Sequence, residues 1–336
     1  MQRRNFIKQS MAFSFTSYYS LNALNDLNKF LPTMPAINSN PAVLFSESPT
    51  IQTTTVMSNG QEVKVHAIQT GKCAVKVSHQ TNHVPHLFTP IKITLDSHFT
   101  DFLPIWVWVI EHPEGVIVID TGENAGVMNP DYFKPAGKIV AAYNRKNIKF
   151  QISEEEEIGY QLNKLNIAKD KIKNVVLTHL HLDHTDGLQS FPSTEIIVHK
   201  EEFNHPSGNI PQLYPKWFKP RLVSYKKEMV DVFEDAFPIT DRQDILLIPT
   251  NGHTPHHASV LFKTDEFDIL FAGDVSYSEG QLLQNDLPGI NADYSKSLKT
   301  YKNIKEYAGK HKLIYLPSHD IDGPARLREK KFLTMV

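Results

Sequence analysis

Three histidines and an aspartate fall within six residues in Thr178-His179-Leu180-His181-Leu182-Asp183-His184. Imidazole nitrogen and carboxylate oxygen are donors that divalent transition metals take, and few structural roles call for four such groups so close together. On an extended segment residues two apart point to the same side, so His179 and His181 can grip one ion. A turn after Leu182 would send Asp183 and His184 to a second, and Asp186-Gly187 supplies a sharp bend. Three later residues complete a donor set: His253 in Gly-His-Thr-Pro, Asp274 in Ala-Gly-Asp and His319 in Pro-Ser-His. Two neighbouring cations repel and need an anion between them. Asp274 is the natural bridging carboxylate, with His253 completing the first site and His319 the second. The set suits two divalent ions, zinc first, with cobalt, manganese or iron as alternatives. Water between two cations loses much of its proton affinity, so hydroxide becomes available near neutral pH. The same ions polarise an ester, lactone or phosphoryl oxygen. The expected reaction class is hydrolysis without a protein nucleophile, and Ser276 and Ser318 need not act covalently.

Each candidate ligand lies just past an expected strand. Residues 174–177 run into the histidine cluster, 245–249 into Gly252-His253, 267–272 into Gly273-Asp274 and 313–316 into Pro317-Ser318-His319. Loops that follow strands can gather at one rim of a sheet assembly and hold a site on rigid supports. Upstream, 61–77 reads as opening strands, and the alternation in 91–95 as another. The apolar runs 103–111 and 115–120 flank His112-Pro113-Glu114-Gly115, a hairpin signature, and the second ends in Asp120-Thr121-Gly122. Ser153 with Glu156 reads as a capping box opening a helix to Leu165. The acidic run from Glu154 to Glu157 is a solvated helix start. Residues 195–199 form another strand, 258–263 and 267–272 a hairpin, and 294–311 a helix.

The chain has 336 residues, 40% of them hydrophobic, enough for a large core. With 35 Lys+Arg against 37 Asp+Glu, no basic face for nucleic acid is expected. Cys73 is the only cysteine, which excludes an intrachain disulfide and a thiolate zinc cage, and it reads as a small buried hydrophobe. Gln2-Arg3-Arg4-Asn5-Phe6-Ile7-Lys8 resembles a twin-arginine export motif, a route that carries folded proteins. The uncharged stretch 11–24 is too short and too polar to span a membrane. The expected organisation is a signal and linker over 1–50 and one hydrolase domain over 55–336, periplasmic or extracytoplasmic, with no stable membrane anchor; a cytoplasmic location and an oligomer both stay open.

Taken in order, Asp120, the 179–184 motif, His253, Asp274 and His319 resemble the metallo-β-lactamase superfamily, over residues 60–325. The resemblance implies an α/β fold, an αββα sandwich with a dinuclear metal site at one edge of the sheets. It gives Asp120 an outer task, orienting a ligand such as His184. Tyr277, three residues after Asp274, makes an Asp-x-x-Tyr step that resembles the N-acyl homoserine lactonases. In that branch the tyrosine hydrogen-bonds substrate near the attacked carbonyl, and the resemblance gives Asp183 the proton for the departing alkoxide. The implied function is opening of the lactone ring of N-acyl homoserine lactones by hydroxide held between the metals. The alternatives are an exported phosphotriesterase or arylesterase of the methyl-parathion-hydrolase kind and a non-catalytic metal-binding protein. A β-lactamase proper lacks the bridging aspartate. His256, where the family usually has glycine, is a departure that adds bulk at the rim. Tyr214, Trp217 and Phe218 either pack on one another in a surface loop or form an aromatic wall for an acyl chain, with Phe133 and Tyr143 opposite. Trp106 and Trp108 alternate on a strand and read as structural.

Overall fold

The computed structural model describes residues 50–81, 88–227 and 230–335. The expected signal and linker lie outside the described residues, Thr50 excepted. The elements are β1 (Ile51–Ser58), β2 (Gln61–Val75), α1 (Val77–Gln80), α2 (Thr89–Leu95), β3 (Leu103–His112), β4 (Gly115–Ile119), α3 (Lys138–Asn147), β5 (Ile148–Gln151), α4 (Ile158–Lys164), β6 (Ile172–Val176), α5 (Leu182–Thr185), β7 (Glu195–His199), α6 (Lys200–Asn204), β8 (Arg221–Val223), β9 (Phe237–Pro238), β10 (Ile245–Pro249), β11 (Ala258–Lys263), β12 (Asp268–Gly273), α7 (Glu279–Gln284), α8 (Tyr294–Ala308), β13 (Leu313–Pro317) and α9 (Gly323–Arg328).

Among the described residues the strands form two sheets, one ordered β1-β2-β3-β4-β6-β7-β8 with β5 on β2, the other β13-β12-β11-β10-β9. Strand period decides which side chains meet between them. In β3, Trp106, Trp108 and Ile110 face the inner core, which they share with Ile245 and Leu247 of β10 and Ile269 and Phe271 of β12. The alternate residues face outward. Val107 and Val109 meet Ile158 and Leu162 of α4. Leu246, Ile248, Leu270 and Ala272 meet Tyr301, Ile304 and Tyr307 of α8. Helix, sheet, sheet, helix is therefore the layer order, the expected α/β sandwich. The Trp108 ring is 2% exposed and lies 5.3 Å from Phe271. Both tryptophans are core residues, and truncating Trp108 to Ala would cost about 3–5 kcal/mol.

The β3–β4 hairpin forms as expected, with His112 opposite Gly115. β4 then pairs parallel with β6, and β12 with β13, so their C-terminal ends share an edge within each sheet. Three expectations are corrected. Residues 91–95 belong to a helix with Pro near its first turn, not a strand. The opening segment is one long strand, and β1 precedes it. The capping box is present, with Glu156 accepting the Ser153 amide at 2.8 Å, but it closes a 3-10 turn. Glu157 leaves the helical region (ψ 143°) before α4 begins.

Candidate metal centre

All seven expected ligands converge at the edge where β4, β6, β10, β12 and β13 end. They fall into two groups, His179, His181, His253 and Asp274, and Asp183, His184, Asp274 and His319, with the donor atoms of each group within 4.8 Å of one another. Asp274 is the shared member, and its two oxygens face different groups. Oδ2 lies 3.5 Å from His253 Nε2 and 3.9 Å from His179 Nε2. Oδ1 lies 3.3 Å from His184 Nε2 and 3.5 Å from His319 Nε2. Within the groups, His253 Nε2 approaches His181 Nδ1 at 2.9 Å, and His319 Nε2 approaches Asp183 Oδ2 at 3.2 Å. The turn that separates Asp183 and His184 from His179 and His181 is α5, which starts at Leu182 itself.

Outer partners fix the inward aim of these rings, as they do around metals generally. Asp120 Oδ2 holds His184 Nδ1 at 2.8 Å, while its carboxylate also accepts the Thr178 amide at 2.8 Å and hydroxyl at 2.9 Å. Asp120 sits at φ 61°, a left-handed conformation uncommon for a residue with a side chain, and the price is offset by these bonds. Thr178 Oγ1 lies 3.0 Å from His179 Nδ1, Ile290 O 3.2 Å from His253 Nδ1 and Pro104 O 2.9 Å from His319 Nδ1. Behind His181 the chain passes so closely that a Cβ on Gly208 (φ +73°) would stand 2.6 Å from its Nε2.

The chemistry of the donors fits divalent cations. His179 Nε2, His184 Nε2 and Asp274 Oδ1 are buried and have no hydrogen-bond partner among the described residues, a costly state that a metal would relieve. Burial and neighbouring imidazoles hold His179 and His253 well below the usual histidine range, so their lone pairs stay available. Burial pushes His184 and His319 down too, but Asp274, with Asp120 and Asp183, outweighs it and carries both well above that range. These carboxylates call for positive charge in the pocket. Burial raises Asp183, but His184 and His319 pull it down to about 2.

Tyr277 is 7% exposed, and its ring stacks on His319 at 5.4 Å. Burial lifts its phenol well above the usual value, so it remains a neutral donor. Ser276 is buried and bonded to Ser278 O and Tyr315 Oη, both at 2.8 Å, consistent with no nucleophilic role. Cys73 is buried in an apolar cluster with Phe133 and Leu182, as expected of a small hydrophobe, yet it also neighbours His319 electrostatically. The rings expected as an aromatic wall pack on one another and on the core. Tyr214 and Phe218 pack edge to face at 5.1 Å, Phe203 lies 6.3 Å from Phe218, and Trp217 packs on the outer core. The Tyr214 hydroxyl donates to Leu180 O at 3.3 Å, so it braces the ligand loop. Phe133 is core, 2% exposed, and Tyr143 is half-buried on α3. His256 groups with His205 and His199, with ring centroids 6.0 and 6.3 Å away.

Three supports were missed by sequence reasoning. His257 is fully buried, its Nε2 accepts the Asp274 amide at 3.1 Å, and its Nδ1 lies 2.9 Å from Thr250 Oγ1. Glu202 is fully buried and links two ligand loops, accepting the Leu180 amide at 3.3 Å and the Thr254 hydroxyl at 2.7 Å. Asp186 does more than turn the chain, because its carboxylate takes the Tyr132 hydroxyl at 2.5 and 2.7 Å. Only His257 left a signal, standing four residues after His253 in the same short motif.

A family model described as the metallo-beta-lactamase superfamily matches residues 100–319. An N-acyl homoserine lactonase of Bacillus thuringiensis is 26% identical over 260 residues, spanning 77% of this chain and 94% of that protein. An N-acyl homoserine lactone hydrolase, solved with the product N-hexanoyl-L-homoserine at its catalytic metal centre, superposes with TM-score 0.62 at 23% identity, over 80% of this chain and 95% of that one. AidC, a dizinc quorum-quenching lactonase, gives TM-score 0.54 at 16% identity, over 81% and 92% of the two chains. These two likenesses speak to the fold. With the family match covering all seven convergent residues, the chain belongs to the metallo-beta-lactamase superfamily, as a metal-dependent hydrolase.

Proposed function

We propose that this protein opens the lactone ring of N-acyl homoserine lactones. The observation that carries the reading is Tyr277, a neutral buried phenol stacked on His319 beside the carboxylate shared by both groups. His179, His181, His253 and Asp274 would hold one divalent ion, and Asp183, His184, Asp274 and His319 the other. When bound, the pair supplies Lewis acidity toward the ester carbonyl and toward a water. The chain's own groups do the rest. Tyr277 donates a hydrogen bond to the carbonyl oxygen, which gains negative charge as water oxygen bonds to the carbonyl carbon. Asp183, a carboxylate, takes the proton that the attacking water gives up and passes it to the ring oxygen as the carbon–oxygen ring bond breaks, so the leaving group departs as a neutral alcohol. The lactonase relatives support this substrate class.

The test is a panel of acyl homoserine lactones and aryl phosphotriesters given to the metal-loaded full chain. Ring opening that is lost on chelation and restored by zinc is expected. Rapid phosphotriester cleavage with intact lactones would overturn the reading, and retained metal with no hydrolysis at all would favour the non-catalytic alternative. Tyr277→Phe should lower kcat by about 10–100-fold with both ions retained. We also propose export of the folded chain on the Arg3-Arg4 motif. Replacing both arginines by lysine should leave the protein in the cytoplasmic fraction.

A further inference from the structure

The α1 turn is strapped to the site at both ends. The His79 carbonyl accepts the amides of Gly289 at 2.9 Å and Ile290 at 3.2 Å, and the Ile290 carbonyl faces His253 Nδ1 at 3.2 Å. On the other side, Gln281 Nε2 donates to Gln80 O at 3.0 Å, while Gln281 Oε1 accepts the Tyr277 amide at 2.8 Å. Asp96 accepts the Ser78 amide at 2.8 Å and secures the base of the turn. One strap therefore reaches a candidate metal ligand and the other reaches Tyr277, with His79 between them.

The His79 ring interacts electrostatically with His181, Asp183, Asp274 and His319, members of both groups. Its Nδ1 is buried and has no hydrogen-bond partner among the described residues. Nearly all buried polar atoms in folded proteins have partners, and an exception calls for a reason; a bound ligand is one. Burial holds the imidazole down to about 4, so the ring is neutral and offers one N–H donor and one lone pair. A neutral ring suits an amide better than it suits a carboxylate or a phosphate.

The substrate proposed above has an amide where this ring would need one. In an acyl homoserine lactone the acylamino nitrogen sits on the carbon bonded directly to the attacked carbonyl. A substrate whose carbonyl lies between Tyr277 and the cluster must hold its acylamino group next to the reacting carbon, and the turn that carries His79 is strapped both to Tyr277 and to the support of His253. We infer that His79 hydrogen-bonds the acylamino group and so makes the site prefer N-acyl homoserine lactones over plain alkyl lactones. The inference rests on the lactonase reading and extends it to the group that defines this substrate class.

The experiment compares wild type, His79→Ala and His79→Gln as metal-loaded full chains, with metal content measured for each. The substrates are N-hexanoyl homoserine lactone and a γ-alkyl lactone of matching chain length that lacks the amide. For His79→Ala, kcat/KM on the acyl homoserine lactone should fall by about tenfold, mainly through KM, as expected for one lost hydrogen bond. The alkyl lactone should lose about twofold at most, because it never made that bond. His79→Gln, which keeps a donor and an acceptor, should recover part of the loss. Calorimetric binding of ring-opened N-hexanoyl homoserine should weaken in His79→Ala in parallel. Equal losses on both substrates, or loss of metal, would assign His79 a structural role and overturn the inference alone. Unchanged kinetics and product binding would do the same. A wild type that opens no acyl homoserine lactone would overturn the functional reading and this inference together.

Discussion

The two halves of the cluster share Asp274 but are built differently. The half around His179, His181 and His253 has three imidazoles and takes one oxygen of the shared carboxylate. Its supports are neutral or backbone groups, namely Thr178, Ile290 O and the close pass of Gly208, plus Glu202 joining the two loops from behind. The half around His184 and His319 contains a second carboxylate, Asp183, and leans on a third, Asp120. Negative charge in a pocket shielded from water binds a dication far more strongly than the same charge in solvent. The Asp183 half should therefore hold its ion more tightly, while the histidine half depends on how well two loops are kept in register. Charge secures one site and loop geometry the other.

Removing the shared group tests what the halves have in common. Asp274→Ala should release both ions and lower turnover by about a thousandfold or more, roughly 4 kcal/mol of transition-state stabilisation. Metal analysis alongside single-turnover rates checks this, and retention of one ion would show that a half stands alone. Asp120→Asn should be smaller and uneven. Metal affinity should drop about 10–100-fold at the Asp183 half and less at the other, which meets Asp120 only through Thr178, visible as unequal displacement of the two steps in a metal titration. Glu202→Gln should act on the opposite half. Its amide group cannot replace both acceptor oxygens, so about 1 kcal/mol of stability should go and the histidine half should bind its metal about fivefold more weakly. Equal effects of the Asp120 and Glu202 variants on both titration steps would dissolve the distinction.

The smallest effect concerns the α1 turn, outside both halves. Burial pushes the Asp96 carboxyl up, but the amides of His98 and Ser78 outweigh it and hold it to about 2. A carboxyl lowered on folding adds stability that is complete above its unfolded value of about 3.9 and fades as pH falls through its folded value. Protection of the Ser78 amide from hydrogen exchange should fall as pH drops from about 4 toward 2, and this fall should vanish in Asp96→Asn. Metal occupancy at neutral pH should not follow it.

The ligand set was legible because its chemistry is local: residue types, spacing and a preceding strand are all written in short motifs. Asp120 was reachable through the hairpin that ends at it. What stayed hidden acts across sequence distance. Glu202 meets Leu180 and Thr254 only after β7 and β10 are in their sheets, and nothing around Glu202 announces it. His79 sits in a turn whose straps come from residues 281–290. The 91–95 misreading has a local cause. Five alternating residues fit a strand, but a Pro near the first turn and burial of Ile93 fit the helix that forms, and so short a run does not separate the two periods. The aromatic segment shows the same limit, since composition cannot say whether rings line a pocket or pack on each other.

The order in which the ligands occur along the chain has a bearing on biogenesis. His319 follows β13, and β13 takes its place only by pairing with β12, the strand that delivers Asp274. No chain that stops before β13 carries a complete centre, because the last donor follows that strand. Tight retention of two ions would then report that the second sheet is assembled, a check that any pathway handling this protein in its native state could read.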